Sequence, residues 1–133
     1  MKTSELMNAL ENNNIDEIID IIPNTSFPDY FEALRKKYKL KKSDIIKKAN
    51  IDRTYGYQII NGTRNPDKDK VICLALSMKL TLDETNRLLS LSNNGNLYAK
   101  IKRDAIIIYC IIRKAGVMKT NEMLHTHNFE ILE

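Results

Sequence analysis

Residues 42–66 read KSDIIKKANIDRTYGYQIINGTRNP, and this stretch decides the fold. Its first half has apolar side chains at helical spacing: Ile45, Ile46 and Ala49. Their period predicts a helix over 42–49, with Ser43 or a neighbour capping its start. Asn50 is expected to end this helix, because asparagine tolerates the left-handed backbone conformation that follows a last helical turn.

The second half predicts another short helix, from Arg53 to Ile60. Asp52 is placed to cap its first turn, and Asn61-Gly62 favours its termination. Two short helices joined by a tight turn, the second rich in hydrogen-bonding side chains, are typical of a helix-turn-helix. We therefore expect the second helix to present its polar side chains outward.

Helical patterns recur along the rest of the chain, and strand patterns do not. Three prolines, four glycines and the lack of alternating apolar segments favour an all-α fold. The other predicted helices span 4–11, 15 to about 22, 29 to about 39, 67–78, 99–114 and 120–126, and one more starts at Thr81 or Asp83 and runs to Leu91. Residues 23–28 hold two prolines and small polar side chains, so they are interpreted as a linker. The helix over 99–114 is almost wholly apolar in its middle, which predicts a buried central helix.

The charge of the chain is unevenly distributed, although the net charge is only +4. Residues 1–30 carry one basic and six acidic side chains, whereas residues 31–80 carry thirteen basic and five acidic ones. A concentrated basic region releases counterions from a phosphate backbone and so favours nucleic-acid binding. The positive region coincides with the two short helices.

A further pattern lies in the second helix and the loop after it. Gln58-Ile59, then Asn61-Gly62, a basic loop and Pro66 lead to a helix that ends in 75–80, Ala-Leu-Ser-Met-Lys-Leu. This run resembles the recognition helix and exit loop of the phage-repressor/Cro-like (XRE) family, over about fifty residues, 30–80. The resemblance implies a lambda-repressor-like helix-turn-helix bundle with flanking N- and C-terminal helices. It also implies sequence-specific binding of double-stranded DNA by a transcriptional regulator.

The resemblance assigns roles to individual side chains. Those expected to contact base edges are Arg53, Thr54, Tyr57 and Gln58. Arginine can bind guanine O6 and N7, glutamine can bind adenine N6 and N7, and a threonine methyl can meet a thymine methyl; Tyr57 is also placed to meet the sugar-phosphate. Those expected to contact the DNA backbone are Lys42, Ser43, Lys47, Asn61, Thr63, Arg64 and Asn65. Such contacts position the protein rather than read the sequence.

The sequence departs from the family pattern at three positions. Members usually have a small residue where this chain has Ile46, a branched aliphatic residue where it has Gly56, and a polar residue where it has Ile60. The first two positions normally face each other across the turn. We expect a volume-conserving exchange between them, because close-packed cores require it. Ile60 is expected to contact the C-terminal helices.

These patterns divide the chain into an acidic N-terminal helical segment (1–28), a helix-turn-helix DNA-binding domain (29–92) and a C-terminal helical extension (93–133) packed on it. The two cysteines, Cys73 and Cys110, lie in apolar runs and are expected to be inert core thiols. His125 and His127 are not on one helix face and have no acidic cluster beside them, so no metal site is expected. We expect no enzyme activity and no cofactor. The chain begins without a signal peptide pattern and is expected to be cytoplasmic, without contact with a membrane.

The sequence leaves one alternative function open. The helix-turn-helix could be the scaffold of a protein-interaction module, such as an antitoxin or adaptor. DNA binding requires Arg35, Lys36, Lys42, Arg53 and Arg64 on one surface, whereas the alternative predicts a large exposed apolar patch elsewhere. Residues 97–109 could form a core helix, a homodimer interface or a docking surface for a protein partner. The acidic N-terminal helices could likewise bind a partner or cover the basic face.

Overall fold

The computed structural model describes residues 2–19 and 25–133. Within these residues the chain forms nine helices and no strand, so the fold is all-α. The helices are α1 Thr3–Asn12, α2 Ile15–Ile18, α3 Phe27–Lys37, α4 Lys42–Lys48, α5 Arg53–Ile60, α6 Lys68–Met78, α7 Leu82–Leu91, α8 Lys102–Ile112 and α9 Val117–Thr126. None of the helices in these described ranges has the length and apolar character needed to cross a bilayer.

Helix α6 is the centre of the core. Every residue from Val71 to Met78 is buried, and α6 packs against α4, α7, α8 and α9. The prediction of a buried central helix over 99–114 is wrong, because α8 begins only at Lys102 and leaves Tyr109 and Ile112 45% and 60% exposed. Its neighbours α6, α7 and α9 cover Ile107, Cys110 and Ile111 but not the opposite side.

Several predicted helix ends are confirmed by their local chemistry. Asp52 accepts a hydrogen bond from the Tyr55 N–H at 3.1 Å, and Asp67 accepts one from the Lys70 N–H at 2.9 Å. Thr81 caps helix α7 by accepting from the Glu84 N–H, and the Glu84 carboxylate accepts from the Thr81 N–H in return, which completes a capping box. Asn50 and Gly62 have positive φ angles of 58° and 86°, as expected of residues that follow a helix.

The prediction that the side chain of Ser43 or a neighbour caps α4 is wrong. Helix α4 already begins at Lys42, its N-cap is Lys41, and no side chain caps it by a hydrogen bond. The preceding Lys39 has a φ of 54°, which places a left-handed turn directly after α3. The chain therefore enters α4 at Lys42, one residue before Ser43. Ser43 is therefore an exposed residue of the first turn.

The predicted linker also ends too late. Helix α3 begins at Phe27 and includes Pro28 in its first turn, where a proline removes no helical hydrogen bond. Ser26 caps this helix by accepting from the Asp29 N–H. Residues 20–24, with Ile22 and Pro23, lie outside the described residues, so the described part of the second predicted helix is α2 alone.

Polar contacts near both ends of α8 link it to α6. The ammonium group of Lys79, at the C-terminal end of α6, donates to the Lys114 carbonyl at 2.8 Å, and the ammonium of Lys114 donates to the Lys79 carbonyl at 2.9 Å. Both residues have a φ of 57°. We call this pair the lysine clasp. Near the other end of α8, Arg103 binds both carboxylate oxygens of Asp69 on α6, at 3.1 and 3.3 Å.

Candidate nucleic-acid interface

Helices α4 and α5 are joined by a four-residue connection, 49–52. The Asn50 N–H donates to the Lys47 carbonyl at 3.1 Å, and the Ile51 N–H donates to the Ile46 carbonyl at 3.3 Å, which closes the turn. The pair is anchored to the rest of the fold, because α4 also packs on α6 and α5 also packs on α3. The turn and this support fix how α5 is presented.

The two unusual residues of the pair face each other, as the sequence predicts. A Cβ atom placed on Gly56 would lie 2.7 Å from Cγ2 and 2.9 Å from Cγ1 of Ile46, which is closer than side chains can approach. Ile46 is 2% exposed, so its side chain occupies the space beside Gly56. Ile60 is buried too, but the main neighbours of α5 are α3 and α4 rather than the C-terminal helices.

The four residues expected to contact bases share one face of α5. Arg53 and Thr54 are exposed, Tyr57 and Gln58 are half-buried, and the other side of the helix carries the buried residues Gly56, Ile59 and Ile60. The guanidinium carbon of Arg53 lies 5.9 Å from the ring centroid of Tyr57. A cation–π contact of this kind is worth about 0.5–1 kcal/mol at an exposed site, so Tyr57 biases the direction of the arginine.

The exit loop after α5 is built by its own hydrogen bonds. The Asn61 side chain accepts from the Thr63 N–H at 2.9 Å, and the Arg64 N–H donates to the Gln58 carbonyl at 3.1 Å. The Asn65 side chain donates to the Ser92 carbonyl at 2.9 Å, which gives it a structural role in place of a free polar tip. All five residues of 61–65 are exposed, and the Arg64 guanidinium lies over the ring of Tyr55 at 5.8 Å.

The three residues expected to contact the DNA backbone from α4 are all exposed: Lys42, Ser43 and Lys47. Ser43 and Lys47 line an open groove of about 550 Å³ together with Arg53 of α5. The structure thus brings a hydroxyl, an ammonium and a guanidinium group to one concavity beside the turn. Lys42 lies apart from this groove, 3.9 Å from the carboxylate of Glu32.

Sequence reasoning did not anticipate that part of the basic face of α3 is neutralised. Arg35 is half-buried, donates from Nε to Glu32 at 2.9 Å and from Nη1 to the Leu40 carbonyl at 3.0 Å. The hydrogen bond from Arg35 lowers the pKa of Glu32 to about 2. Lys37 donates to Glu84 at 2.9 Å. The i, i+3 spacing of Glu32 and Arg35 was the available signal for the first pair.

Helices α4 and α5 and the loop after them keep an excess of positive charge. Residues 41–65 carry six basic side chains, four lysines and two arginines, against two acidic ones, Asp44 and Asp52. The Asp52 carboxylate caps α5 by accepting a hydrogen bond from the Tyr55 N–H. No family model, curated protein or solved structure matches the chain.

Proposed function

We propose that α4 and α5 form a lambda-repressor-like helix-turn-helix and that the protein binds double-stranded DNA in a sequence-specific manner, as a transcriptional regulator. One observation carries the proposal: the outward face of α5 consists of Arg53, Thr54, Tyr57 and Gln58, while the rest of the helix is anchored in the core. The resemblance to the XRE family gives the same face the same role.

This face has the chemistry of direct readout. The major groove of B-DNA admits one α-helix, and its base pairs present distinct donor and acceptor patterns. Arg53 suits a guanine, Gln58 suits an adenine, and the Thr54 methyl suits a thymine methyl. Because the Tyr57 ring lies beside the guanidinium group, Arg53 loses less conformational freedom when it binds a base.

Groups for the phosphate backbone flank the reading face on two sides. Ser43 and Lys47 lie beside the first turn of α5, and Thr63 and Arg64 follow its last turn. Phosphate contacts of this type fix the register of a helix in the groove. With Lys42 they also supply the salt-dependent part of the affinity. Asn61 and Asn65 support the exit loop that carries Thr63 and Arg64.

The test is selection of bound duplexes from a random pool with the full chain and with Gln58→Ala. We expect an enriched motif for the natural chain, and a loss of preference at one base pair for the variant. One bidentate base contact is worth about 1–3 kcal/mol, so discrimination there should fall by about 5- to 150-fold. Salt-sensitive binding without enrichment would contradict the proposal.

The structure also has the feature that a protein-interaction module would need. Ile101, Tyr109 and Ile112 form an exposed apolar surface away from α5, and they are 51%, 45% and 60% exposed. This surface shares no residue with the reading face, because it is formed by α8 and its N-cap whereas the reading face is formed by α5. An interaction through α8 is therefore proposed in addition to DNA binding, not in its place.

A further inference from the structure

The outward side of α8 is an apolar stripe with a regular period. Its residues follow one another at intervals of four, three and four positions: Ile101, Ala105, Ile108 and Ile112. Tyr109 lies beside them, and Ile101 and Ile112 are 51% and 60% exposed. Alternating intervals of three and four are typical of a helix face that packs along another helix. We call this set the α8 stripe.

The ends of the α8 stripe are positively charged. The exposed charged side chains of residues 97–117 are all basic: Lys100, Lys102, Arg113 and Lys114. The acidic residue of this segment, Asp104, is 4% exposed and accepts from the Tyr98 N–H and from Lys68. Arg113 lies 3.4 Å from the ring centroid of Tyr109, which holds its charge against the stripe.

This charge pattern argues against pairing of α8 with a second α8. Basic residues lie at both ends of the stripe, Lys102 at its start and Arg113 at its end. Parallel and antiparallel packing of two such helices would therefore both bring like charges together, which opposes association. The complementary occupant is an amphipathic helix with acidic side chains.

The chain itself contains such an element. Helices α1 and α2 pack against each other and leave four large apolar side chains exposed: Met7, Leu10, Ile15 and Ile19. They are 51%, 46%, 50% and 53% exposed. Residues 2–19 also carry four acidic side chains, Glu5, Glu11, Asp16 and Glu17, against the single basic Lys2. We call this element the acidic hairpin.

We propose that the acidic hairpin of one copy binds the α8 stripe of a second copy, and that two copies exchange hairpins reciprocally to form a two-fold dimer. In the single chain both apolar surfaces are exposed to water. In the exchanged dimer each of the two equivalent contacts buries one hairpin surface and one α8 stripe. Opposite charges meet at each of the two equivalent contacts. The inference goes beyond DNA binding and does not depend on it.

Sedimentation equilibrium of the full chain over the micromolar range, without DNA, tests the exchange through charge reversal. Glu11→Lys with Glu17→Lys gives the hairpin a net positive charge, and Lys100→Glu with Lys102→Glu and Arg113→Glu gives the stripe a net negative charge. Each variant alone should dimerise more weakly by about tenfold or more, since both contacts become repulsive. A mixture of the two should restore the dimer, because both contacts of the mixed dimer are again between opposite charges.

Apolar variants give a second readout. Leu10→Glu in the hairpin and Ile112→Glu in the stripe should each raise the dimer dissociation constant by about tenfold or more, since each puts a charge into an apolar contact. Met118→Glu is the matched control, because Met118 is 78% exposed on α9 and lies outside the stripe. Circular dichroism checks that each variant is folded.

Three results would overturn the exchange. A chain that stays monomeric over this range has no such dimer. A dimer that Ile112→Glu dissociates but Leu10→Glu and the hairpin reversal do not is held by α8 against another surface. Failure of the mixed charge-reversal variants to associate would show that the hairpin and the stripe are not partners.

Discussion

Ile46 fills the space that a side chain on Gly56 would need, so one residue of α4 and one of α5 share a single volume at the centre of the pair. A Cβ on Gly56 would approach Ile46 Cγ2 to 2.7 Å. Close packing allows this exchange of size between two facing positions, provided their sum is kept. The contact therefore makes the two positions interdependent.

Gly56→Ile should lower the free energy of unfolding by about 2 kcal/mol through overpacking. Ile46→Ala together with Gly56→Ile should recover most of this loss, because the sum of the two volumes is restored. Thermal denaturation of both variants checks the coupling. Gly95→Ala is the control, since a Cβ there meets nothing within 4 Å. A melting temperature of Gly56→Ile equal to or above that of the natural chain would contradict the shared volume.

Glu84 should make stability depend on acid. Its burial raises the pKa, but hydrogen bonds from Thr81, Lys37 and Tyr38 outweigh burial and lower the pKa to about 2 from 4.5. A carboxyl group whose pKa is lower in the folded state stabilises the fold above its unfolded pKa. This contribution should therefore be complete above pH 4.5 and should disappear as the pH falls to about 2.

Chemical denaturation across this pH range tests the role of Glu84. Glu84→Gln should cost about 2 kcal/mol at neutral pH, as expected for charge-assisted hydrogen bonds, and should reduce the loss of stability on acidification. Asp83→Asn is the matched control, because Asp83 is the exposed neighbour in the same helical turn. Equal acid sensitivity of Glu84→Gln and the natural chain would be inconsistent with this role.

Lys47 should contribute to DNA affinity through charge and not through sequence. Removal of one phosphate contact lowers the slope of log affinity against log salt by about 0.9. We expect this change for Lys47→Ala, with weaker binding of every duplex. Lys119→Ala on α9 removes the same charge from an exposed site outside the interface and should leave the slope unchanged. Equal slopes for the two variants would remove Lys47 from the interface.

The thiols should be slow to react in the native protein. Burial raises the pKa of Cys73 to about 12, and Cys73 and Cys110 are 3% and 1% exposed. Because the thiolate is the reactive form, a disulfide reagent at pH 8 should label neither cysteine until the chain opens. Labelling in guanidinium chloride supplies the fully reactive reference. Rapid labelling of native protein at either position would show that the core opens far more readily than its packing indicates.

The parts of this fold that follow from short-range chemistry were predictable. Asp52, Asp67 and Thr81 start helices because their side chains accept from N–H groups three residues ahead, and Asn50 ends one through its own backbone preference. Four side chains of α5 share a face because of helical spacing alone. The contact between Gly56 and Ile46 was predictable because a smaller residue than the family has at one position requires a larger one at the position that faces it.

The rest depended on contacts between distant residues. Nothing in the apolar pattern of 99–114 distinguishes a helix covered on all sides from α8, whose coverage depends on where α6, α7 and α9 lie. Pro28 could end a linker or open a helix, and the cap at Ser26 decides for the helix. The neutralisation of Lys37 required Glu84, which lies 47 residues away in sequence.

The lysine clasp has a consequence for how the sequence can drift. In an ordinary salt bridge, loss of one side chain leaves the other charged group without a partner. In the clasp each ammonium group is received by a main-chain carbonyl, so exchange of Lys79 leaves the acceptor for Lys114 in place, and the reverse holds too. The link between the ends of α6 and α8 is therefore redundant: a substitution of either lysine removes one of its two hydrogen bonds and leaves the other in place.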